Sequence, residues 1–337
     1  MGISLVTGAT GFLGSHIVER LVQRGETVRA LVRPTSGTTY LEGLDVELAL
    51  GDVTNEESIA AATDGVTVVY HAAAAVTDWA PWKEFASVTI GGTKNVLSAA
   101  AKADAKMLHV STDAVYAISA LRGVVTEETR LERRFGPFDY YRRSKSAAER
   151  IVRRAIEEER IEASIVRPGL LLGERDRAIF PGMVAFLKGG ASAYIGNGHN
   201  RLPYVYVGDV AEACILAATN PVATGAIYNV ASDEVVTQRD LLQTIADAAG
   251  LNTPKRSVPI VAMNSLAFAM QIASAATGRR TRPAITRYGV ALLALEYRED
   301  ISKIRRELGW EPTASLEEAI KRTMEWRESH RPVPIGG

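Results

Sequence analysis

The apolar run Ile3–Val6 passes straight into Thr7-Gly8-Ala9-Thr10-Gly11-Phe12-Leu13-Gly14. Phe12–Arg24 then continues with helical spacing at Leu13, Ile17 and Leu21, until Gly25 stops it. A strand that turns through three such glycines into a helix leaves few folds open. Gly8 permits a tight turn, Gly11 lets backbone approach a pyrophosphate, and Gly14 allows close helix–strand packing. The helix start, with Thr10, Phe12 and Leu13, offers unpaired N–H groups and a positive dipole end to phosphates. The spacing lacks the closing Gly-Lys-Ser/Thr of a P-loop, which argues against an NTPase.

The same alternation continues. Strands are expected at Thr27–Val32, Val46–Leu50, Val66–His71, Lys106–Ser111 and Ala163–Arg167, and helices at Asn55–Ala62 and Trp82–Ala103. A further helix, capped by Asp139, runs through Tyr141 to about Arg160, with Ala148, Ile151, Val152, Ala155 and Ile156 inward. This order predicts an α/β fold, a Rossmann-type doubly wound parallel sheet. After Pro168 the pattern loosens. Residues 1–170 read as a dinucleotide-binding domain to which some later segments return. Residues 171–337 read as a smaller C-terminal substrate lobe over the carboxyl edge of the sheet, where ligands of such folds bind.

Composition narrows the class. The chain has 337 residues, with Lys+Arg and Asp+Glu at 39 each, which lacks the gross basic footprint of a nucleic-acid binder. The single cysteine, Cys214, excludes an intrachain disulfide and a Cys-rich metal site, and fits a reducing cytoplasm. The N-terminus does not read as a signal peptide. The most apolar stretch, Val258–Thr277, is interrupted by Asn264, Ser265, Gln271 and Ser274. It reads as a buried helix rather than a membrane span, with contact at a membrane surface as the alternative.

The end of the second strand bears on the cofactor. Sites for NAD usually place an acid there for the ribose 2′-hydroxyl. Here Val28-Arg29-Ala30-Leu31-Val32-Arg33-Pro34 has none, and the guanidinium fork of Arg33 suits a 2′-phosphate, with Thr35 and Ser36 nearby. NADP(H) is the expected cofactor. Asp52 and Val53 follow the third strand, towards the adenine. Ala72, Ala73 and Ala74 follow the fourth, where small residues let backbone approach the dinucleotide.

Tyr141-x-x-x-Lys145 carries the chemistry. At this spacing both side chains lie on one helix face. A tyrosine pKa of about 10 is poorly matched to neutral pH, and a neighbouring ammonium is expected to lower it. Tyr141 then gives a proton to a carbonyl oxygen or takes one from an alcohol, while Lys145 can also bond the nicotinamide ribose. The preceding strand ends in His109-Val110-Ser111-Thr112, and either hydroxyl, Ser111 or Thr112, can orient a substrate oxygen.

Together these features resemble the extended short-chain dehydrogenase/reductase family over nearly the whole chain. The matching segments are Thr7–Gly14, His71–Ala74, Ser111-Thr112 before Val115-Tyr116, Tyr141/Lys145 and Arg167-Pro168-Gly169. Later ones are Tyr206-Val207-Gly208-Asp209-Val210-Ala211 and Leu308-Gly309-Trp310-Glu311-Pro312. The resemblance implies catalysis by Tyr141 and Lys145, places Thr112 at the family's catalytic hydroxyl, and adds Pro168 and Gly169 to the cofactor contacts. Thr89 stands where many members have Asn, which puts an Asn-mediated proton relay in doubt.

The chain is most similar to the branch of 3β-hydroxysteroid dehydrogenases, dihydroflavonol reductases and 2-alkyl-3-oxoalkanoate reductases. That branch implies an apolar ketone or alcohol. Nucleotide-sugar 4-epimerase or 4-ketoreductase activity is the alternative, and Ala114, in place of Glu, disfavours a dehydratase. A non-catalytic redox sensor fits less well, because the Tyr/Lys pair is intact. Trp79, Asp113, Phe180, Arg201 and Tyr204 are the candidate substrate contacts, with Phe268, Met270 and Met263 suited to an apolar pocket. A homodimer through Trp82–Ala103 and Tyr140–Arg160 is expected from the resemblance.

Overall fold

A computed structural model describes residues 2–189, 192–278 and 282–330; the last residues of the expected lobe, 331–337, lie outside them. Seven parallel strands make one sheet: β1 (Ile3–Thr7), β2 (Thr27–Val32), β3 (Glu47–Leu50), β4 (Val66–His71), β5 (Lys106–Val110), β6 (Ala163–Pro168) and β7 (Ile227–Val230). Their spatial order is β7-β6-β5-β4-β1-β2-β3. The direction of winding therefore reverses at β1, which lies between β2 and β4, and a crevice opens there at the carboxyl ends.

Helices cover both faces because the central strands are apolar on both sides. One face buries Val6, Tyr70 and Val166 against α1 (Phe12–Gln23) and a helix at Val207–Thr219. The other buries Leu5, Val69 and Ile165 against α2 (Glu56–Ala62), α3 (Gly92–Lys102) and α4 (Tyr140–Glu157). Short parallel strand pairs stand outside the sheet; one joins Gly123–Val125 to Tyr297–Glu299 and so brings Tyr297 to Asp113, just after β5.

Three sequence expectations are corrected. The single helix over Trp82–Ala103 is interrupted: Trp82–Glu84 is α-helical, Phe85–Gly91 is a π-helical turn, and α3 resumes at Gly92. Asp139 stands at the N-cap of α4 but makes no capping bond; its carboxylate takes the Arg142 guanidinium at 3.0 Å instead. Val258–Thr277 forms a helix, α5 (Ile260–Ala276), yet it is not buried: only Met263, Ala267, Gln271 and Ser274 are covered. Its apolar residues surround the whole helix axis, so packing one side leaves the other in solvent.

Candidate active site

The phosphate cradle follows from crowding. Gly8 has φ of 71°, and a Cβ there would lie 2.8 Å from the Ala73 amide nitrogen. A Cβ on Gly14 would lie 2.1 Å from the Gly8 carbonyl oxygen, so only glycine closes this turn. Gly11 caps α1 without a side-chain acceptor, and no acid sits in the first turn, so the first amides stay free for an anion. Arg33 is exposed just beyond β2, its Nε donating to Ser36 Oγ at 3.3 Å. The Asp52 carboxylate accepts from the Thr54 amide and hydroxyl, and Val53 is buried against Gly92. The Ala72 amide bonds Thr7. Ala73 and Ala74 continue from it, half-buried. Buried Pro168 ends β6 and Gly169 packs on the Pro203 carbonyl. A dinucleotide diphosphate fits a cradle of this shape and charge.

The reacting groups lie on one stripe of α4, where residues four apart stack. Tyr141, Lys145 and Glu149 occupy successive turns. The Lys145 ammonium donates to the Val110 carbonyl at 2.7 Å. Burial lowers its pKa to about 8, against the raising pull of Glu149. Tyr141 differs from the sequence expectation. Burial pushes its phenol up to about 12; a hydrogen bond with Thr112 opposes this and the Asp113 charge adds to it. Beside burial it is Thr112 and Asp113, and not Lys145, that act on this phenol. Tyr141 is therefore a phenol, able to donate a proton across the neutral range.

The structure separates the two candidate hydroxyls. Ser111 Oγ donates to Glu149 Oε2 at 2.5 Å and faces away from Tyr141 chemistry. Thr112 bonds Tyr141, and its Oγ1 donates to Asp113 Oδ1 at 3.0 Å. Asp113 also accepts from Tyr297 Oη at 2.6 Å, so it holds Thr112 rather than standing free for substrate. Arg142 pins this turn to α4, donating to the Ala114 and Tyr116 carbonyls at 2.9 and 2.7 Å. Beneath lies a fully buried ion pair, Arg167–Glu149, with N···O of 2.5 Å, which Tyr116 and Ser111 complete.

Around Tyr141 the wall is aromatic. Tyr288 lies 5.2 Å from it, ring centroid to centroid. Trp79 packs on Phe138 at 5.5 Å and Phe138 on Phe268 at 6.4 Å. Phe138 takes φ of 65°, a left-handed conformation that bulky residues rarely adopt. A cavity of about 380 Å³ is lined by Phe138, Arg142, Ile260, Gln271 and Tyr288. The other substrate candidates are elsewhere: Phe180 and Tyr204 are buried in the main core, and Arg201 pairs with Glu296 on the surface. Thr89 accepts from the Ala75 amide at 3.0 Å, fixing the loop after β4.

Sequence reasoning missed Tyr288, Tyr297, Phe138 and the Glu149–Arg167 pair. Glu149 was within reach, being one more step of four beyond Lys145. The tyrosines carried no local signal, since long-range packing alone brings Tyr288 to Tyr141 and Tyr297 to Asp113.

Comparison with known proteins agrees with this geometry. Residues 4–231 match the NAD dependent epimerase/dehydratase family. The 2-alkyl-3-oxoalkanoate reductase of Shewanella oneidensis is 28% identical over 332 residues, 95% of this chain and 84% of that protein. A ketoreductase of Stigmatella aurantiaca, named for 4-hydroxy-2-methyl-3-oxo-4-farnesyl-3,4-dihydroquinoline-1-oxide, is 30% identical over 91% of both chains. The crystal structure of DesIV, a dTDP-glucose 4,6-dehydratase of Streptomyces venezuelae with NAD bound, superposes with a TM-score of 0.76 at 25% identity, covering 98% of each chain. A glycine cradle at the head of a parallel sheet, a Thr–Tyr–Lys group at its carboxyl edge and a family match over most of the chain lead to one assignment: the protein is an oxidoreductase of the NAD dependent epimerase/dehydratase family, the extended short-chain dehydrogenases/reductases.

Proposed function

We propose that the protein reduces a ketone on a largely apolar molecule, with NADPH as the reductant. The observation that carries this reading is the placing of Tyr141 one turn before Lys145 on α4, bonded to Thr112 and packed against the Tyr288 ring, beside an aromatic cluster of Trp79, Phe138 and Phe268. The bound dinucleotide would supply the hydride. Thr112 orients the substrate oxygen, and Tyr141 gives it a proton. Lys145, released from Val110, is positioned to bond the nicotinamide ribose. Arg33 and Ser36, with no acid at the end of β2, favour the 2′-phosphate of NADP(H).

Two measurements test this. NADPH should bind more tightly than NADH, and Arg33→Ala should erase most of the gap; tighter NADH binding by the unchanged protein would refute the cofactor assignment. Burial of apolar surface contributes about 25 cal/mol per Å², so lengthening the alkyl chain of a β-keto substrate should tighten apparent binding until the pocket is full. Strong competition by uridine or thymidine diphosphate with no chain-length trend would point to a nucleotide-sugar epimerase or 4-ketoreductase instead.

A further inference from the structure

Helix α5 departs from the usual rule for a helix at a protein surface. None of its seventeen residues is charged. Val261 is 77% exposed, and Ile260, Leu266, Phe268 and Ile272 are also exposed. A soluble helix normally turns polar residues outward, and a contiguous exposed apolar face marks a contact with something else.

The flanking sequence indicates what that is. Between Asp247 and Glu296 the chain holds Lys255, Arg256, Arg279, Arg280, Arg282 and Arg287, and no acid. Lys255, Arg256 and Arg287 are exposed. Arg282 is taken up by Asp78 at 2.7 and 2.8 Å. A second copy seated on this helix would bring like charges together. An anionic lipid surface accepts both features, apolar side chains below the headgroups and basic ones among them. No described helix is long and apolar enough to cross a membrane, so the contact is one of lying on the surface.

We propose that α5 and its basic flanks dock the protein on an anionic bilayer surface. The docking helix is also one wall of a cavity: Ile260, Asn264 and Gln271 line it together with Tyr288, whose ring packs on that of Tyr141. An apolar molecule held in the bilayer would meet that wall first. The docking itself stands apart from the ketone reading, and its test reads binding alone.

The test is flotation of the full chain with vesicles of phosphatidylcholine alone or of equimolar phosphatidylcholine and phosphatidylglycerol. The protein should float with the anionic vesicles, less so with the neutral ones, and less at high salt. Leu266→Asp with Ile272→Asp should lower binding roughly tenfold or more. Lys255→Gln with Arg256→Gln should lower it roughly tenfold on anionic vesicles and little on neutral ones. Val222→Asp, at an exposed apolar residue away from α5, should change nothing. Circular dichroism melts establish that each variant is folded. Failure of the unchanged chain to float, or undiminished flotation of the Leu266→Asp/Ile272→Asp variant, would overturn the proposal. So would a dimer in sedimentation that this variant converts to a monomer, since a second copy would then be the occupant.

Discussion

Two regions of this protein invert the usual division between inside and outside. Beneath the active site, Glu149 and Arg167 form an ion pair with no exposure at all. At the surface, α5 presents Val261, Leu266 and Ile272 without one charge. The interior charges are met within the chain: Arg167 reaches Glu149, Tyr116 and the Glu127 carbonyl, and Glu149 also takes Ser111. The outward apolar side chains of α5, Val261, Leu266 and Ile272, stand in solvent instead. A buried polar group must be satisfied where it lies, whereas an exposed apolar face can wait for something outside. The first region is thus a device for positioning β5, β6 and α4, and the second is a contact surface.

The largest effect expected from this contrast is on stability. Arg167→Ala leaves Glu149 buried and unpaired, and should cost about 3–5 kcal/mol in denaturant unfolding. Replacing both partners, as Glu149→Leu with Arg167→Met, should return much of that loss. If the single substitution were nearly neutral, the pair would not be what holds the site.

Next in size is turnover. Tyr141→Phe should slow reduction roughly 10²-fold or more while dinucleotide binding persists. The adjacent hydroxyls should divide: Thr112→Val should lower turnover, while Ser111→Ala should mainly lower stability, by about 1 kcal/mol. Equal losses of turnover would show that Ser111 also reaches the substrate.

A smaller effect is expected in acid. Burial first, and then nearby positive charge, lowers the pKa of His71 to about 3 and that of His16 to about 4. Below pH 6.5 the unfolded chain takes up protons that the folded chain refuses, so stability falls as pH falls. Each histidine should remove about 1.4 kcal/mol per pH unit between 6.5 and its folded value. The buried carboxyls Asp113 and Glu299, whose pKa burial raises, act with the opposite sign; melting temperature against pH therefore isolates the histidine share by comparison with His71→Asn, and the same pH dependence in both proteins would contradict it.

The smallest effect belongs to the outer region. Leu266→Asp alters an exposed side chain and should change unfolding free energy by less than about 0.5 kcal/mol. A loss of several kcal/mol would mean that Leu266 is packed rather than presented.

Much of this was legible in the chain itself. The glycine spacing required the turn seen at Gly8 and Gly14, because only residues without a Cβ fit beside Ala73 and the Gly8 carbonyl. The strand–helix alternation required the parallel sheet, and the four-residue step placed Tyr141 and Lys145 on one face. These are local properties, set by sterics within a few residues. What the tertiary structure decided was every choice between neighbours. Ser111 and Thr112 are equal in sequence, and only packing against Glu149 and Tyr141 separates them. The tyrosine pKa was expected to fall, but burial, which only the packed fold creates, raises it. Tyr297 and Asp113 are 184 residues apart and meet only because Tyr297–Glu299 pairs with Gly123–Val125. The exposure of α5 was likewise beyond reach of the sequence, since an apolar run reads alike whether or not another part of the chain covers it.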